Sequence, residues 1–76
     1  MHEIINILES IRPEFSFSDT DDFFAEGMLD SFDLVTLIST LDQIYSISIQ
    51  GTDIIPENFK NVRSISFLLG NYGVSL

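Results

Sequence analysis

Between Glu3 and Arg12 the apolar residues Ile4, Ile5, Ile7, Leu8 and Ile11 recur at the spacing of a helix with one broad apolar stripe. Pro13 cannot continue that helix and restricts Arg12 before it, so the first helix is predicted to end near residue 12. Residues 13–30 keep no steady period. They mix Ser16, Ser18, Asp19, Asp21, Asp22 and Gly27 with Phe15, Phe17, Phe23, Phe24, Met28 and Leu29. This composition predicts a long loop that wraps the core and is pinned there by its large side chains, and loops of this length inside a compact domain are often functional. From Ser31 the helical period returns, with Leu34, Leu37, Ile38, Leu41, Ile44 and Tyr45 on one face of a helix over 31–45. Asp30 or Ser31 caps its first turn by accepting backbone N–H bonds, and Asp33 favours the positive end of the helix dipole.

Ile47 and Ile49 alternate with Ser46, Ser48 and Gln50, a strand-like pattern. With no partner strand elsewhere, an extended connection is the better reading. Gly51-Thr52-Asp53 is a turn. Residues 54–59 fit one short helical turn, with Pro56 near its start, where a missing N–H costs little. Asn61 caps a last helix through Val62, Ile65, Leu68, Leu69 and Tyr72, which Gly70 and Gly73 then fray. The sum is an all-α fold, a small four-helix bundle of three main helices and one short one with a long first loop.

Length sets the next limit: 76 residues make a single domain, 1–76, with no room for a second core. The hydrophobic content of 45% is that of a globular chain and not a disordered one. No apolar run approaches the roughly 20 residues of a membrane span. The start Met1-His2-Glu3 lacks the basic and apolar regions of a signal peptide. The chain has no cysteine, which rules out disulfides and thiolate zinc sites and suits a reducing compartment. A cytoplasmic location is the expectation. Twelve acids against Arg12, Lys60 and Arg63 give a formal charge of −9. Such a chain is expected to repel nucleic acid and anionic membranes and to attract proteins with basic patches; on charge alone, acids that only keep a small protein soluble are an equal reading.

Most catalytic chemistries lack their parts. A serine nucleophile needs a base within reach, and the only histidine is His2, at a terminus expected to be mobile. Lys60, the sole lysine, has no Ser-x-x-Lys partner. A calcium loop read from Asp19 places Asp21 at the third position but then fails, with Phe23 and Phe24 at the fifth and sixth and Asp30 at the twelfth. The four glycines, at 27, 51, 70 and 73, are too scattered to cradle a phosphate. Asp30 and Asp33 read as acids of a helix start. The chain is expected to be no enzyme, with no catalytic residue and no metal site.

The run Gly27-Met28-Leu29-Asp30-Ser31-Phe32-Asp33, followed by Val35 and Leu37 and preceded by Phe23-Phe24, resembles the attachment motif of acyl carrier proteins. Length, acidity, the long first loop, a second helix starting at a serine, Ile47 and Ile49 after it, and Asn61-Val62 at the last helix are similar to that family over nearly the whole chain. The resemblance implies the family's four-helix fold and a 4′-phosphopantetheine arm, taken from coenzyme A and carried by Ser31. A separate phosphopantetheinyl transferase, with magnesium, would attach the arm and supply the base this chain lacks. The arm's thiol would hold an acyl or aminoacyl thioester received from a loading ligase and passed to downstream enzymes with basic patches. Asp30, Phe32, Asp33, Val35 and Asp42 would form the partner-binding face, and the carrier would act as a monomer. Thr36 and Ser39 depart from the acidic and apolar residues common in fatty-acid carriers, and Phe32 stands where leucine or methionine is frequent there. Ser31-Phe32 with Glu57-Asn58-Phe59 is similar to discrete carriers of the D-alanine and polyketide-associated type. The rival reading is an unmodified, carrier-like adaptor that binds proteins through its acidic face.

Overall fold

Pro13 stops the first helix as expected: α1 runs His2–Ile11, and the Arg12 N–H still bonds back to the Leu8 carbonyl at 3.0 Å. The computed structural model describes residues 2–18 and 20–76, and of His2 the backbone alone. The expectations that rest on Met1, on the His2 side chain and on Asp19, where the calcium-loop reading begins, lie outside the described residues.

The second helix, α2, is Ser31–Tyr45, the bounds its period predicts. Leu34, Leu37, Ile38 and Leu41 are buried against α1, whose Ile4, Ile7 and Leu8 face them from an antiparallel helix. Two contacts fix that antiparallel pairing: Tyr45 Oη donates to Glu3 Oε2 at 3.0 Å at one end, and Arg12 reaches Asp33 at the other. Ile44 corrects the predicted stripe, being 55% exposed. At about 100° per residue it falls at the edge of the apolar face, whereas Tyr45 falls near its centre. The helix ends when Ser46 adopts a left-handed conformation (φ 55) and its N–H, with that of Ile47, bonds to the Asp42 carbonyl.

The connection over 46–50 is extended, followed by a 3-10 turn, Gly51–Asp53. The short α3, Pro56–Phe59, has proline at its first position and buries the Phe59 ring. Asn61 caps α4, Val62–Asn71, by accepting the Ser64 N–H at 2.7 Å. Gly70 lies inside α4 and frays nothing; the stop belongs to Gly73. Its φ of +82 lets Val74 N–H reach the Leu69 carbonyl and Gly73 N–H reach Gly70. The four helices, with no strand among the described residues, form the small all-α bundle that the apolar pattern predicts.

The long loop is pinned as its phenylalanines require. Phe17 and Phe23 are wholly buried and meet edge to face at 5.0 Å between ring centroids, and Phe15 adds a second edge contact on Phe17 at 6.3 Å. Met28 and Leu29 are buried as well. Fully burying a side chain of this size contributes about 1.5–3 kcal/mol before entropy. Four such residues hold a segment that has no helix of its own.

Candidate functional site

The backbone that leads to Ser31 is organised by Phe23. Its N–H donates to the Lys60 carbonyl at 2.6 Å, and its own carbonyl accepts the N–H groups of Met28 (2.8 Å) and Leu29 (3.2 Å). Between them Asp22 Oδ1 accepts the N–H groups of Phe24 and Ala25, closing a turn of the kind that short acidic side chains favour. Gly27 completes the reversal at φ +73, a conformation that a residue with a Cβ resists. Asn61 ties the same loop from the other side, its Nδ2 donating to the Asp21 carbonyl at 2.9 Å.

Asp30, not Ser31, is the cap of α2. Its backbone is extended, its Oδ1 accepts the Asp33 N–H at 2.9 Å, and Asp33 Oδ2 accepts the Asp30 N–H at 3.2 Å. This reciprocal box satisfies two amides that a helix start otherwise leaves open. The Asp33 N–H holds the Asp30 carboxyl below its usual pKa, burial opposes it, and the charge of Arg12 assists. Ser31 is therefore the first helical residue. It is exposed, and the capping bonds of this turn run between its neighbours and leave its hydroxyl out.

Arg12 is the cation of this site. Its Nε donates to Asp33 Oδ2 at 2.8 Å, Nη1 to Glu14 at 2.9 Å, and Nη2 lies 3.7 Å from Asp30 Oδ2. The bonds to Asp33 and then Glu14 raise its pKa further, so its charge is permanent.

Of the residues singled out in the sequence, Asp30, Ser31, Phe32, Asp33 and Val35 come together on the first turns of α2. Phe32 and Val35 are 82% and 63% exposed, large apolar groups with no cover. Asp42 sits near the other end of the helix, where its Oδ1 accepts the Ile49 N–H at 3.0 Å. It is half-buried and bonded to its own chain. Sequence reasoning missed Arg12 and the Phe23 backbone. The scarcity of cations was a usable signal for the first; nothing local marks the second.

Ser31 lines neither of two clefts on the surface. One, of about 340 Å³, lies between Ile5, Thr20 and Asp21 on one side and Asn61 to Arg63 on the other; the second is bordered by Glu57, Asn58, Arg63, Ser64 and Phe67. Catalytic sites are concave, and neither of these clefts includes this hydroxyl. An exposed primary alcohol at the positive end of a 15-residue helix fits an attached phosphate instead.

A sequence profile described as phosphopantetheine attachment site matches residues 2–68. No curated protein and no solved structure gives a significant match. Proteins of this family hold 4′-phosphopantetheine covalently and serve as carriers, not catalysts. The matched span opens with α1, takes in the whole Ser31 turn and closes on the buried Leu68 of α4; this chain belongs to the phosphopantetheine attachment site family and is a phosphopantetheine-carrying protein.

Proposed function

We propose that Ser31 Oγ is the attachment point and that the chain, as one carrier domain over 1–76, bears acyl or aminoacyl groups between biosynthetic enzymes. The observation that carries this reading is the exposed Ser31 at the first position of α2, held open by the Asp30–Asp33 box. The arm supplies a thiol that holds cargo as a thioester. The chain's own contribution is presentation. Asp30 and Asp33 fix the backbone on both sides of the serine, and Gly27 and the Phe23 carbonyl fix the approach. A base to remove the hydroxyl proton belongs to the phosphopantetheinyl transferase, where, with magnesium, the Ser31 Oγ–P bond forms as the pyrophosphate P–O bond of coenzyme A breaks and adenosine 3′,5′-bisphosphate leaves.

The face offered to that enzyme, to a loading ligase and to downstream enzymes is the exposed start of α2. Phe32 and Val35 provide apolar anchors, and the Asp30 carboxylate, 62% exposed, meets basic groups. Asp33 and Asp42 add charge to this face more than contact, since both are bonded inward. The net charge of −9 supports fast encounter with basic partners and a monomeric state, and a sequence without cysteine suits the reducing cytoplasm. No described helix is long and apolar enough to cross a membrane.

Incubation with coenzyme A, magnesium and a broad-specificity transferase tests the assignment by mass. The wild-type chain gains one arm, and Ser31→Ala gains none while keeping its helix content. An unmodified wild-type chain, or an equally modified Ser31→Ala, refutes the assignment and favours the adaptor reading.

A further inference from the structure

We infer that Arg12 is a positioning residue for the modification of Ser31, acting through Asp33 and Asp30; the inference rests on Ser31 being the attachment point. Asp33 Oδ2 is one oxygen with two tasks. It accepts the Arg12 Nε–H at 2.8 Å and the Asp30 N–H at 3.2 Å. Whatever fixes Asp33 therefore fixes the Leu29–Asp30 peptide, one residue ahead of Ser31. The box also sets two carboxylates against each other, and the described ion pairs of both are with Arg12. Neighbouring like charges repel, and a cation paired with both offsets that repulsion. Lys60 and Arg63, the only other cations in the chain, belong to the α3–α4 region.

Arg12 is itself held. Its guanidinium lies 5.9 Å from the centroid of the Phe15 ring, and Phe15 meets Phe17, which meets Phe23. The carbonyl of Phe23 binds Met28 and Leu29. Residues 28–29 before the serine and residues 30–33 around it are thus referenced to one wall, which runs from Arg12 to Phe23. A hydroxyl that must approach phosphorus in a partner's site depends on such orientation, since small misplacements weaken transfer steeply. Lysine in place of Arg12 keeps the charge but cannot hold Asp33, Glu14 and Asp30 with one planar group.

The test is steady-state transfer kinetics with the full apo chain, coenzyme A, magnesium and a broad-specificity transferase. It compares wild type, Arg12→Gln, Arg12→Lys and Ser31→Ala, with amide exchange read at residues 30–34. Arg12→Gln is expected to lower kcat about fivefold with KM changed less than about twofold, and to speed exchange at Asp30 and Asp33. Arg12→Lys recovers part of both, while exchange at the buried Leu68 and Leu69 of α4 stays as in wild type, which a loss of global stability would not allow. An Arg12→Gln variant that keeps its kcat and changes only KM overturns the inference, leaving Arg12 as mere surface charge. So does a slow Arg12→Gln with unaltered exchange at 30–34. A wild-type chain that gains no arm, or a Ser31→Ala chain that gains one, overturns the Ser31 reading and this inference with it. A modified wild type beside an indifferent Arg12→Gln overturns this inference alone.

Discussion

Tyr72 Oη donates to Asp53 Oδ2 at 2.6 Å and accepts the Gln50 N–H at 2.9 Å, so one phenol clasps the 3-10 turn to the end of α4. The bond to Asp53 raises the Tyr72 pKa against the smaller opposing effect of the Gln50 N–H. Burial, then the bond to Glu3, raises that of Tyr45. A phenol that ionises later in the folded chain than in the unfolded one contributes stability in full below its unfolded pKa and loses it as pH rises through the folded one. Stability should hold to about pH 10 and then decline. Urea midpoints from neutral to alkaline pH should show that decline, and Tyr45→Phe combined with Tyr72→Phe should flatten it.

Asp30 has the opposite sign. Its folded pKa is depressed, first by the Asp33 N–H, so its contribution is present above the unfolded value and lost as pH falls through the folded one. Below about pH 4 the first turn of α2 should loosen while the core stays packed. Amide exchange at Asp33 should rise before far-UV dichroism changes. Asp30→Asn, which keeps an acceptor but no titrating charge, should abolish that acid step.

Two phenylalanines of the site region should behave as opposites. Phe17 is fully buried between Phe15 and Phe23, and Phe17→Ala should cost about 3–5 kcal/mol in urea unfolding. Phe32 touches solvent over most of its surface, and Phe32→Ala should change stability by less than about 0.5 kcal/mol. Its effect should appear in transferase kinetics as a raised KM for the carrier.

Asn61 joins two elements through one amide. Asn61→Ala removes the α4 cap and should cost about 0.5–2 kcal/mol by chemical denaturation. Asn61→Asp keeps the acceptor for Ser64 and loses only the donor to Asp21, so it should spare α4 but raise amide exchange in the 21–29 loop.

The bounds of α2 were legible because they are local: period, cap residues and the loss of apolar spacing after Tyr45 all lie in adjacent sequence. The choice between Asp30 and Ser31 as cap was not, since both side chains can accept an N–H; the extended backbone at Asp30 (φ −124, ψ −175) settles it. The resemblance puts Asp42 on the partner-binding face, and its bond to the Ile49 N–H is not visible in the sequence. The left-handed Ser46 turns the chain back and brings the Ile49 N–H onto its carboxylate. Arg12 stayed silent for a different reason. Its bond to Asp33 crosses 21 positions and exists only once α1 and α2 lie antiparallel. The resemblance of the Gly27–Asp33 run to an attachment motif is legible directly, because the serine, its acids and its glycine lie in one short stretch.

The approach to Ser31 is braced largely by main-chain atoms: amides of Phe23, Met28 and Leu29 meeting carbonyls of Lys60 and Phe23. Main-chain bracing is indifferent to what hangs from it. Substitutions at the exposed Ala25 and Glu26 can therefore redecorate the loop before the serine without moving its frame. A carrier built this way can acquire new customers by trading a few surface groups, and its docking preferences are free to diverge faster than its architecture.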